Sequence, residues 1–122
     1  ELTGVDLNPR SESIARAATP AGWPIRWVTG DYRDFAGAGW HGVISSLVAH
    51  HMSDGERSEF VRFMEAESRI GWMVNDLHRR RLPFAGYPLL ALAAGVDPIV
   101  WRDGQLSIGR SFRPHEWHAM LK

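Results

Sequence analysis

The chain has 122 residues, 44% hydrophobic and 23% charged, the size and balance of one globular domain. Fourteen acidic residues offset fourteen basic ones, so no net field draws the chain to nucleic acid or to a membrane surface. Cysteine is absent, which excludes disulfide staples and thiolate metal sites and fits a reducing cytoplasm. The longest apolar stretch, Leu82 to Val96, is broken by Pro83, Gly86, Pro88 and Gly95. It falls short of the about 20 residues of a membrane span and reads as a buried or lid-like helix. No basic region followed by an apolar core opens the chain, so no signal peptide is read there.

In chain order, Leu2 to Leu7 (LTGVDL) is a short apolar run holding an aspartate, the pattern of a buried parallel strand. Asn8 and Pro9 are a cap and a first helical residue, because proline at that position forfeits no needed donor. The helix they open presents Ile14, Ala17 and Ala18 on one face and stops at Pro20. Ile25 to Val28 fits a second strand, ending at Thr29-Gly30-Asp31, and a loop around Gly37 and Gly39 follows. Trp40 to Ser46 is a third strand. Ser53-Asp54-Gly55-Glu56 is a capping box, in which serine bonds the third helical amide and glutamate reaches back. Its helix directs Phe60, Phe63 and Met64 to the core. Ile70 to Val74 makes a fourth strand, ending at Asn75-Asp76. Further on, a helix over Pro88 to Ala94, a polar turn at Arg102-Asp103-Gly104 and a helix from Pro114 with Trp117, Met120 and Leu121 complete the reading. Strands alternating with helices imply a mostly parallel sheet covered on both faces. The six tryptophans are expected mostly in the core or a lid.

In open α/β sheets the ligand sits beyond the carboxyl ends of the strands. Those ends carry Asp6, Asp31, Ser45-Ser46 and Asn75-Asp76. A carboxylate offers two acceptor oxygens in one plane, matching the vicinal hydroxyls of a ribose, and a second one can accept from an adenine amine. Together they describe an adenosine site. His50-His51 is unsuited to joint metal binding, since helical ligands face together at spacings of three or four. One imidazole capping the next helix and the other packing near the site is one reading. A general base acting on a substrate is the other. Arg79-Arg80-Arg81 reads as a solvated turn.

GVDLNP before a helix, GD after the next strand, VISSLVAHHMSD and then GWMVNDLH resemble the class I S-adenosylmethionine (SAM)-dependent methyltransferases. The likeness is nearest to the small-molecule enzymes related to ubiquinone and menaquinone biosynthesis. It spans residues 1–122 as a partial domain of that Rossmann-like α/β fold, with helices on both faces of a mostly parallel sheet. It implies SAM as cofactor, with Asp6 on the ribose, Leu7 beside the adenine, Asp31 and Tyr32 at the adenine, and Ser46 and Leu47 near the methionine end. It places Asp76 and His78 on the side of a small-molecule methyl acceptor, with His50 or His51 as candidate base and no metal. The acceptor atom would be an oxygen or carbon of an aromatic or polyketide-like molecule.

The family's first strand, with its glycine-rich loop, and its last two strands have no counterpart here, so the resemblance implies a fragment. The four strands are then expected parallel in one sheet. The Ile25 strand would be outermost, followed by the Leu2 strand, an empty slot, the Trp40 strand and the Ile70 strand. A nicotinamide-dependent Rossmann oxidoreductase also places an acid after its second strand, but the GD and SLVAHHMSD segments argue against it. A degenerate, non-catalytic methyltransferase-like subunit is the remaining alternative.

Overall fold

A computed structural model describes residues 1–121 as a mixed α/β chain in two compact units, residues 1–39 and residues from 40 onward. In the first unit β1 (Leu2–Asp6) and β2 (Ile25–Thr29) pair in parallel, joined through α1 (Pro9–Ala18). The register pairs Gly4 with Trp27, and only glycine fits there: a Cβ at residue 4 would lie 2.2 Å from the indole. The Trp27 N–H donates to Thr19 Oγ1 at 2.9 Å, which fixes the ring across the strand. Asn8 caps α1 and Pro9 opens it, as the sequence indicates. Ile14, however, is 66% exposed, and α1 buries no residue. Polar bonds hold α1 to β2 instead. Glu12 accepts from Arg16, and from the Thr29 N–H and hydroxyl at 3.1 and 3.0 Å.

The second unit pairs β3 (Trp40–Ser46) with β4 (Ser68–Asn75), again in parallel, across α2 (Asp54–Glu67). The capping box of Ser53 and Glu56 is present. Phe60 and Met64 are buried and Phe63 is half-buried, so the expected core face of α2 holds. Three helices follow, α3 (Arg81–Ala93), α4 (Pro98–Arg110) and α5 (Pro114–Met120). The helix expected over Pro88 to Ala94 begins seven residues earlier, at Arg81, with Pro88 inside it. Arg102-Asp103-Gly104 is helix rather than turn. Asp97 caps α4, and the Tyr87 ring of α3 packs where a Cβ at residue 104 would be, 2.5 Å away.

The strands that pair are the expected neighbours, the Leu2 strand with the Ile25 strand and the Trp40 strand with the Ile70 strand. Backbone hydrogen bonds join the described strands only as two separate two-stranded sheets. The tryptophans also depart from expectation. Trp23 is exposed and the other five are half-buried. Indole N–H groups such as that of Trp72, which donates to Glu65, hold the rings at the surface. No helix among the described residues is long and apolar enough to cross a membrane.

The hydrogen bond from Arg16, and then that from the Thr29 hydroxyl, holds the Glu12 carboxyl below its usual value of 4.5. A carboxyl lowered by folding adds stability above its unfolded value, and that stability disappears as pH falls through the folded one. Urea midpoints of the wild type are therefore expected to drop from neutral to acidic pH by more than those of Glu12→Gln.

Candidate functional site

Each unit presents its strand ends at one edge, because paired parallel strands finish side by side. In the first unit Asp6 lies opposite Thr29, and the Gly30 N–H donates to the Asp6 carbonyl at 3.0 Å. Asp31 therefore follows directly at the edge where Asp6 sits. Asp6 Oδ1 accepts the Asn8 N–H at 2.7 Å, while its second oxygen accepts nothing among the described residues. Asp31 is more fully engaged. Its oxygens accept from the Arg33 N–H at 2.9 Å and the Arg33 guanidinium at 3.0 Å. Leu7 is exposed beside Asp6. Tyr32 begins a 3-10 turn over Tyr32–Phe35, with the Arg33 guanidinium 4.9 Å from its ring centre.

In the second unit the corresponding edge is Ser46 opposite Asn75. Asn75 Nδ2 donates to Ser46 Oγ at 3.1 Å, and the Leu47 N–H donates to the Asn75 carbonyl at 2.9 Å. Leu47 has φ of 56°, unmatched by any other non-glycine among the described residues. That conformation costs about 1–2 kcal/mol for a residue with a Cβ. Such strain tends to mark functional turns. Ser45 is buried, and its hydroxyl has no hydrogen-bond partner among the described residues.

The strongest constellation joins the turns after β3 and β4. His50 is 5% exposed, and its Nδ1 lies 2.6 Å from Asp76 Oδ1. Asp76 also accepts the His50 backbone N–H at 3.0 Å and the Leu77 N–H at 2.7 Å. A carboxylate only accepts, so Nδ1 is the donor in this contact, and in the neutral tautomer that makes it the lone pair lies on Nε2. A base oriented by a carboxylate is the arrangement proton abstraction requires. His51 is exposed, its ring 4.0 Å from that of His50. Neither imidazole caps α2, because Ser53 fills that position. Asp76 thus touches the candidate base itself. His78 is exposed and bridges by its backbone to Phe112. It lines a cavity of about 340 Å³ with Asp76, Trp117 and His118.

His50 and His51 line a second cavity of about 360 Å³, together with Asp54, Arg57, Arg110 and Phe112. Sequence reasoning missed the two arginines. For Arg57 a signal existed: it shares the buried stripe of α2 with Phe60 and Met64, at spacings of three and seven. Of the three consecutive arginines, Arg79 pairs through its guanidinium with Glu116, both side chains remaining partly exposed.

Asp76→Ala strips an acceptor from two backbone amides and one imidazole. A loss of at least about 2 kcal/mol is expected, because each orphaned buried donor costs roughly 1–3 kcal/mol. Urea unfolding measures it.

Compared with known proteins, the chain matches no family model, no curated protein and no solved structure.

Proposed function

We propose that the protein is a SAM-dependent methyltransferase of the class I, Rossmann-like type, acting on a small molecule through an oxygen nucleophile. The observation that carries this reading is the His50–Asp76 pair, set at the carboxyl ends of adjacent parallel strands. Ligands of open α/β sheets gather at such ends. The ordered motifs GVDLNP, GD, VISSLVAHHMSD and GWMVNDLH support it. So do the two parallel pairs, β1 with β2 and β3 with β4, which are neighbours in that family's sheet.

The residues of the first unit suit the adenosine half of such a donor. The uncommitted oxygen of Asp6 is available to a ribose hydroxyl. Asp31 retains lone-pair capacity for an amine in competition with Arg33, because a carboxylate has about four acceptor positions. Leu7 and Tyr32 offer apolar and aromatic surface beside them. Ser46 and the strained Leu47 mark the strand end of the second unit, considered by itself.

Bound SAM supplies a methyl group on a sulfonium. The protein's contribution is to hold the acceptor and take its proton. The acceptor's O–H proton passes to His50 Nε2, while Asp76 stabilises the imidazolium through Nδ1–H. The oxygen freed of its proton by His50 would be the nucleophile for that methyl group, with S-adenosylhomocysteine as the product left from the donor. Alignment of the reactants supplies most of the acceleration.

Calorimetry with SAM and S-adenosylhomocysteine tests the reading. Both are expected to bind, and Asp6→Ala to weaken them by roughly 1.5–3 kcal/mol, the value of hydrogen bonds to a charged group. Binding of a nicotinamide dinucleotide in their place would overturn it.

A further inference from the structure

The cavity beside His50 has a chemistry that methyl transfer alone does not call for. Arg57 is 4% exposed, yet its only carboxylate partner among the described residues is Asp54, whose side chain is 98% exposed. A buried guanidinium needs a desolvated counter-charge, and one bathed in water is a weak match for it. The guanidinium is also incompletely used. Its five N–H groups meet the Met52 carbonyl at 3.1 Å, the Asp54 carboxylate and the Met120 sulfur, a weak acceptor. Two donors are left over among the described residues. Phe112 packs against the guanidinium, with its ring centre 4.1 Å away, and also lines the cavity.

A second cation faces the same space. Arg110, the last residue of α4, is exposed, lines the cavity, and has no ion-pair partner among the described residues. Two guanidinium groups against one solvent-exposed carboxylate leave the lining positive. The rings of His50, His51 and Phe112 give it flat walls. Its volume of about 360 Å³ falls within the usual range for small-molecule sites, about 300–1,000 Å³. Arginine pairs favour carboxylates because the planar fork of the guanidinium matches two oxygens.

We infer that this cavity binds the carboxylate of an aromatic acid, Arg57 and Arg110 holding the carboxylate and Phe112 the ring. The identification of that acid as the methyl acceptor, with its hydroxyl toward His50, rests on the methyltransferase reading. The anion site itself does not. An acceptor held this way is a hydroxylated aromatic carboxylic acid.

The test is titration of the intact protein, without methyl donor, by benzoate, benzyl alcohol and inorganic phosphate, followed by NMR. Benzoate is expected to saturate and to shift the side-chain signals of Arg57 and Arg110. Benzyl alcohol should bind at least about tenfold more weakly, as should benzoate to Arg110→Ala, the loss expected for one charged hydrogen-bonding partner. Arg110→Lys should restore part of the affinity. Arg110 is exposed at a helix end, and an unchanged circular dichroism spectrum will show that the variant folds. Equal binding of benzoate and benzyl alcohol, full affinity in Arg110→Ala, or tighter binding of phosphate than of benzoate would overturn the assignment. Benzoate binding by a protein that ignores SAM would sink the methyl-transfer reading and leave the anion site standing. SAM binding without benzoate would do the reverse.

Discussion

The Asp76 carboxylate fixes the geometry on which the candidate site of the second unit depends. It accepts the His50 backbone amide, the His50 imidazole and the Leu77 amide, so one side chain ties the turn after β3 to the turn after β4. Both turns start from one edge because β3 and β4 run parallel and end in register at Ser46 and Asn75. Without the carboxylate, His50 would have neither a fixed ring orientation nor a defined tautomer. With it, the base is held before any ligand arrives, and pre-organisation of this kind is what makes a proton acceptor effective.

The same turn concentrates other constraints. Leu47 adopts a left-handed backbone and is held by Asn75. Four residues after His50, Asp54 opens α2, and Arg57 then brings a guanidinium into the buried stripe of that helix. Base, strained turn and one of the two cations, Arg57, thus come from one short stretch, residues 46–57. In the first unit the logic is simpler. Asp6 and Asp31 each satisfy a backbone amide two residues on, and each retains acceptor capacity beyond it.

Much of the local structure was legible in the residues. Trp40–Ser46 is a strand at the expected bounds because β-branched and small residues fill it, and the Ser53–Glu56 box marks the start of α2. The α3–α4 region was not legible. Prolines and glycines there suggest breaks, but Asp97 and Pro98 start a helix, and Gly104 is tolerated because Tyr87 occupies its side-chain space. The pairing of the strands was legible through the resemblance, which names the Leu2 and Ile25 strands as neighbours and likewise the Trp40 and Ile70 strands. His50 and Asp76 were each singled out, but their contact spans 26 residues and depends on parallel pairing. Arg57 was hidden because charge on a helix reads as surface, although its spacing from Phe60 and Met64 placed it in the core stripe.

The most direct measurement is nitrogen-15 NMR of the His50 ring in the intact protein. The expected result, at a pH where the ring is neutral, is protonation on Nδ1 with the lone pair on Nε2, and loss of that tautomer preference in Asp76→Asn. A ring protonated on Nε2, or a tautomer indifferent to Asp76→Asn, would contradict the assignment of His50 as an oriented base.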